Sequence, residues 1–230
     1  MRIPRLVQVR ENVLKHNDVL ARRLRGKFSD AGVFVVSLVS SPGSGKTEFL
    51  EKTLCRLQKT HSVAALVGDL ATDNDALRLA RSDALVKQIT TGTICHLEAE
   101  MIEKALKDWI LEDLDVLFIE NVGNLVCPSS YDLGENIRVV LMSTTEGEDK
   151  PLKYPTIFNT ADVAVITKMD ISEAVEFDAS KAHESIHAVR PGMEIFELSA
   201  KKDIGMDEWI DWLKKRASDS KIKEAAALGI

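Results

Sequence analysis

Apolar residues along this chain follow two alternating rhythms. Between Leu6 and Lys27, the residues Val9, Val13, Leu20 and Leu24 recur at near-helical spacing among many charges, which predicts an amphipathic helix over about 6–27. From Val33 to Val39 the run is mostly apolar and β-branched, the composition of a strand buried on both faces. The alternation then repeats. Strands are predicted over 63–67, 85–89, 116–119, 137–142, 163–166 and 194–198, with helices to about Lys59 and over 75–81, 97–109, 173–189 and 206–216. Strands separated by helices specify an α/β fold, a mostly parallel central sheet with helices on both faces, and its ligand lies beyond the C-terminal strand ends. The 230 residues suit one domain, with the core at about 33–217 and residues 218–230 expected to form a frayed helical tail.

Directly after the first strand stands Ser40-Ser-Pro-Gly-Ser-Gly-Lys-Thr47, a phosphate-binding loop with Ser40 where the pattern usually has its first Gly. Around Gly43, Ser44 and Gly45 the backbone N–H groups can turn inward about an anion, and the next helix adds its N-terminal dipole. Lys46 is placed for the β- and γ-phosphates and the Thr47 hydroxyl for Mg²⁺. This is the loop of a P-loop NTPase. The strand Leu117-Phe-Ile-Glu120 ends in a carboxylate, the Walker-B arrangement that aims an acid at Mg²⁺, and Gly123 lets a backbone N–H approach the γ-phosphate. Between these motifs lie Asp69, Asp73 and Asp75. Asp73 is expected to cap the following helix, and Asp69 and Asp75 to hold Mg²⁺ or position the attacking water. Lys46, Asp69, Asp75 and Glu120 are therefore the catalytic candidates.

The strand over 163–166 runs into Thr167-Lys168-Met169-Asp170. A carboxylate there accepts two hydrogen bonds from guanine, and adenine offers no matching pair. Lys168 can pack its stem along the ring. A later strand ends in Ser199-Ala200-Lys201, placed to offer a backbone N–H to the guanine carbonyl. In this order, after a phosphate loop, the two motifs select GTP over ATP.

Net charge narrows the partners. At −6 the chain is not built as a general nucleic-acid binder. No apolar stretch reaches the roughly 20 residues that span a bilayer, and the charges from Arg2 to Arg25 leave no apolar signal core, so the expected location is the cytoplasm. Three cysteines in a reducing compartment imply thiols or metal ligands rather than disulfides.

On these motifs the chain resembles the HypB GTPases, relatives of the urease chaperone UreG, from about Val33 to Lys214. The segment Ile119-Glu-Asn-Val-Gly-Asn-Leu-Val-Cys127-Pro128 carries the resemblance most distinctively. It includes Glu120 where most other GTPases have Asp. Thr91-Gly-Thr-Ile-Cys95-His96-Leu resembles the family's Cys-His metal motif, and residues 144–155 are also similar. The resemblance implies a GTP-dependent homodimer that helps place nickel in a nickel-iron hydrogenase. Its implied partners are a nickel-delivery protein of the HypA type and the hydrogenase large subunit, with GTP/GDP and Mg²⁺ as cofactors. By position, Thr47, Asp75 and Glu120 take the Mg²⁺ roles, and Lys153 the role of a residue offered to the partner subunit's guanine. There are departures. Neither a Cys-rich N-terminal nickel motif nor a His-rich tract is present, so nickel storage is not implied. Glu48, counted with the nucleotide-binding residues, follows Thr47 where a second Thr is usual, a harmless departure if its side chain points away along the helix.

Cys95, His96 and Cys127 are soft and borderline ligands suited to Ni²⁺ or Zn²⁺. Buried cysteine and a helix-capping His96 are the structural alternatives for the same residues. Three ligands per chain leave a position for water or for a second chain. Cys55 reads as packing, and His183 with His187 as a solvated helix face. The rival functions are a urease-type nickel chaperone GTPase and a metal carrier in which hydrolysis is incidental.

Overall fold

A computed structural model describes the backbone over residues 5–70 and 74–228, and the side chains over 12–70 and 75–222. Seven strands form one sheet: β1 (Phe34–Ser40), β2 (Val63–Asp69), β3 (Leu85–Thr90), β4 (Val116–Glu120), β5 (Ile137–Ser143), β6 (Val163–Thr167) and β7 (Glu194–Glu197). Their order is β3-β2-β4-β1-β5-β6-β7 and every pairing is parallel. The helices are α1 (Arg5–Asp30), α2 (Lys46–Leu57), α3 (Asn74–Leu79), α4 (Ala99–Ala105), α5 (Lys150–Lys153), α6 (Pro155–Thr160), α7 (Ala179–Val189) and α8 (Met206–Leu228).

The period-two alternation of side chains assigns strand residues to one or the other face of the sheet. All of β1 is buried. Its Phe34, Val36 and Leu38 pack with Phe49, Leu54, Trp209 and Leu213 of α2 and α8, whereas Val35 faces Leu24, Phe28 and Ile102 of α1 and α4. A third cluster joins Val140 and Ile166 to Phe158 of α6 and Ile186 of α7.

Several elements differ from expectation. The helix expected over 173–189 begins only at Ala179, because Glu176 takes a left-handed conformation (φ 53°) and Asp178 accepts the Lys181 N–H at 3.1 Å as the true N-cap. The helix expected over 97–109 is confined to Ala99–Ala105: Glu98 is extended, and Lys87 Nζ closes the other end on the Ala105 carbonyl at 2.8 Å. The last helix continues past Arg216 to Leu228, with Lys221 paired to Asp115 at 2.6 Å. Helices α5 and α6 carry Pro151 and Pro155 in their first turn, where the missing N–H of proline costs no helical hydrogen bond. The predicted cap Asp73 lies outside the described residues.

Candidate nucleotide and metal site

Across the C-terminal strand ends the candidate residues fall into three groups. Cysteines and histidine follow β3 and β4, the phosphate loop follows β1, and the base-reading residues follow β6 and β7.

In the phosphate loop, Gly43 (φ 75°) and Gly45 (φ 89°) adopt the left-handed conformation that a side chain would disfavour. The buried Ser44 Oγ has no hydrogen-bond partner among the described residues. Residues 41–48 line a cavity of about 430 Å³ with Asp69, Asp75 and Gly123. Glu120 lies beneath it, 1% exposed. Its Oε1 accepts from Thr47 Oγ1 at 2.8 Å and lies 3.4 Å from Lys46 Nζ. Its Oε2 has no partner among the described residues. Burial pushes the Glu120 carboxyl above the usual carboxylate range, which the Lys46 charge and the Thr47 hydrogen bond only partly offset. A buried carboxylate oxygen without a partner, beside a Thr hydroxyl and facing Asp75, fits a bound divalent cation, and Lys46 fits an anionic phosphate chain. Gly123 has a second reason to be glycine: a Cβ there would meet the Pro42 Cα at 2.9 Å, so the two loops touch backbone to backbone.

The base site is a cavity of about 360 Å³ lined by Gly45, Glu48, Thr167, Asp170, Ser199 and Ala200 among others. Asp170 lines this cavity, and its Oδ1 accepts from Ser199 Oγ at 2.5 Å. Lys168, itself left-handed (φ 61°), reaches across to the Gly43 carbonyl at 2.7 Å. Thr167 Oγ1 donates to the Ser44 carbonyl at 2.5 Å, so base and phosphate loops are pinned together. Glu48 turns toward the cavity rather than away along the helix, and is held there by an ion pair with Arg78. Lys153 does not line this cavity; it is exposed and pairs with Asp149 at 2.7 Å.

The metal candidates converge. Ligand atoms of Cys95, His96 and Cys127 all lie within 4.8 Å of one another, and the two sulfurs are 2.9 Å apart. His96 is half-buried with its ring 4.0 Å from that of Tyr131, centroid to centroid; its Nδ1 has no hydrogen-bond partner among the described residues, and its Nε2 lies 3.3 Å from Glu98 Oε1. Burial lowers its pKa, which favours the neutral imidazole, and the Glu98 carboxylate partly offsets that shift. Two sulfurs and a neutral imidazole suit Ni²⁺ or Zn²⁺.

A family model described as "CobW/HypB/UreG, nucleotide-binding domain" matches residues 34–197. The hydrogenase maturation factor HypB of Escherichia coli K12 is 45% identical over 210 residues, 91% of this chain and 72% of that protein. The chain belongs to the HypB family. A crystal structure of Helicobacter pylori HypB in complex with nickel superposes with a TM-score of 0.84 at 42% identity, covering 90% of this chain and 97% of that one. HypB from Archaeoglobus fulgidus gives 0.82 at 39% identity, covering 88% and 99%. The seven-stranded parallel sheet and preceding helix are thus those of a HypB P-loop protein.

Two kinds of residue in this HypB chain escaped sequence reasoning. Arg78 spans the phosphate and base cavities, clamped by Glu48 and by Glu51 at 2.7 Å. Asn121 and Asn124 work on the metal loops: Asn124 donates to the Cys95 carbonyl at 3.4 Å and accepts from Val126 N at 2.8 Å, and Asn121 accepts from Leu97 N at 2.9 Å. Both asparagines stand in the segment 119–128, and a polar residue repeated at a strand end was the available signal.

Proposed function

We propose that this chain is a cytoplasmic GTP-hydrolysing metallochaperone that assists nickel insertion into a nickel-iron hydrogenase during maturation. One observation carries the reading. Glu120, beneath the phosphate cavity, and Cys127, in the metal cluster, belong to one segment, and Asn121 between them bonds the backbone next to His96. A change at the phosphates therefore has a covalent and hydrogen-bonded path to the metal ligands.

Within this reading Thr47, Asp75 and Glu120 would hold Mg²⁺, which supplies charge neutralisation to the triphosphate when bound. Lys46 neutralises the phosphate chain, and Asp69 or Asp75 orients the attacking water. Asp170, Thr167, Lys168, Ser199 and Ala200 read guanine. Cys95, His96 and Cys127 take Ni²⁺, with Zn²⁺ as the competing occupant. A GTP-dependent homodimer brings two such clusters together and places Lys153 at the partner subunit's base. The expected clients are a nickel-delivery protein of the HypA type and the hydrogenase large subunit. None of the helices among the described residues is long and apolar enough to cross a membrane.

The test is Ni²⁺ and Zn²⁺ titration in the nucleotide-free, GDP and GTP-analogue states, with molecular mass measured alongside. Affinity that rises with the GTP analogue and falls in Cys95→Ala, at unchanged basal GTPase activity, supports the reading. By linkage, the metal must then strengthen GTP binding or dimerisation by the same factor. Affinity equal in all nucleotide states, or surviving loss of Cys95, overturns it.

A further inference from the structure

The segment Val13–Phe28 of α1 carries one polar residue in its apolar stripe. Leu20, Ala21, Leu24 and Phe28 are buried against the sheet, and Asn17, one turn before them, is only 4% exposed. Asparagine is a poor helix former, and a buried amide is costly unless fully bonded. Both ends of this amide are bonded. Asn17 Oδ1 accepts the Ala99 N–H at 2.9 Å, and Asn17 Nδ2 donates to the Asp132 carbonyl at 2.8 Å. Ala99 lies three residues beyond His96, at the start of α4. Asp132 follows the Cys127–Ser130 turn and is adjacent to Tyr131, whose ring packs on His96. One side chain thus joins the two chain segments that supply the metal ligands.

Its surroundings make α1 a frame for both segments. Arg25 binds Asp132 Oδ1 at 2.7 Å, and Arg23 and Lys27 bind Glu103 of α4 at 2.6 and 2.8 Å. These pairs are exposed at their basic ends and contribute little rigidity. At Gly134 a Cβ would meet the Ala21 carbonyl at 2.9 Å, so the second segment lies directly on the helix backbone. Asn17 is the buried link common to both.

We propose that Asn17 is a positioning residue for the transition-metal site, holding Cys95 and His96 in register with Cys127. The inference rests on reading those three residues as the metal ligands. Partners that orient ligands from behind are typically worth about 10–100-fold in metal affinity. Asn17→Ala strands a buried donor and a buried acceptor and frees the two segments to separate, while it touches neither nucleotide cavity.

The experiment uses the full chain, reduced and nucleotide-free, as the unmodified protein, Asn17→Ala, Asn17→Asp and Phe28→Leu. Asn17→Asp keeps the acceptor for Ala99 but loses the donor to Asp132, and serves if Asn17→Ala does not fold. Phe28→Leu loosens α1 three turns away without removing either bond to Asn17. Ni²⁺ and Co²⁺ are titrated alone, following thiolate charge-transfer and Co²⁺ ligand-field bands. In parallel, the rate at which diamide, taking up the two thiol hydrogens, closes a Cys95–Cys127 disulfide is followed by peptide mass mapping.

The expected result is a loss of about 10–100-fold in metal affinity for Asn17→Ala, with altered Co²⁺ bands and slower disulfide closure. Asn17→Asp should lie between that variant and the unmodified protein, with GDP affinity unchanged in all four. Metal affinity and closure rate that survive both Asn17 variants overturn the inference, as does an equal loss in Phe28→Leu. Failure of the unmodified protein to bind metal overturns the ligand reading instead, and the disulfide rates still decide whether Asn17 holds the two segments in register.

Discussion

The side-chain oxygen of Asn121 accepts the backbone N–H of Leu97 at 2.9 Å and that of Val122 at the same distance. Leu97 is the neighbour of His96, and Asn121 the neighbour of the buried Glu120. Removing the amide in Asn121→Ala strands two buried donors, each costing about 1–3 kcal/mol. Urea unfolding should register that loss. The same variant should bind Ni²⁺ with similar affinity in the GDP and GTP-analogue states, because the bond between the two loops is gone.

In the proposed function guanine is read by Asp170, whose carboxylate is already fixed by the Ser199 hydroxyl. Hydrogen bonds to a charged acceptor are worth about 1.5–3 kcal/mol each, and about 1.4 kcal/mol is a factor of ten. Asp170→Asn should therefore weaken GTP binding by one to two orders of magnitude. Xanthine nucleotides, which carry a carbonyl where guanine has its amino group, should gain. Competition binding with GTP, XTP and ATP checks both, and equal use of ATP and GTP by the unmodified protein would refute the assignment.

Lys46→Ala and Thr47→Ala remove groups that contact Glu120 and that the proposed function assigns to phosphate and Mg²⁺. Each should lower GTP hydrolysis by about 10²–10³-fold with the fold retained. Lys46→Ala also strips Glu120 of its nearest cation and should raise that carboxyl further. Phosphate release and far-ultraviolet circular dichroism on the purified variants measure the two effects separately.

The Glu120 carboxyl is raised in the fold by burial, so the folded state holds its proton more tightly than the unfolded chain does. The resulting stabilisation is complete below the unfolded glutamate value of about 4.3 and is lost as pH rises through the folded value. The nucleotide-free protein should therefore lose stability across that window, and Glu120→Gln should flatten the dependence. Thermal unfolding between pH 4 and 8, with and without the substitution, is the measurement.

Much of the sheet is legible in the sequence because strands buried on both faces must be continuous apolar runs, as in β1, β4 and β6. The nucleotide residues are legible for a related reason: a phosphate cradle and a base reader are built from short contiguous stretches at strand ends. What stays hidden are bonds between segments far apart in the chain. Asn17 to Ala99, Asn121 to Leu97 and Arg78 to Glu48 leave no periodic trace, since each needs one side chain of the right length at a place only the fold defines. The start of α7 was hidden likewise, because the left-handed Glu176 has no residue type that announces it.

The strand order divides the molecule into fuel and cargo flanks. In the proposed function base recognition occupies the β6–β7 side, metal recognition follows β3 and β4, and the phosphate loop on β1 stands between them. Substitutions at residues 95–97 or 127 can alter which ion is carried without touching Asp170 or Ser199. Likewise, a change of fuel need not disturb the ion. A sheet arranged this way can exchange its freight while keeping its engine.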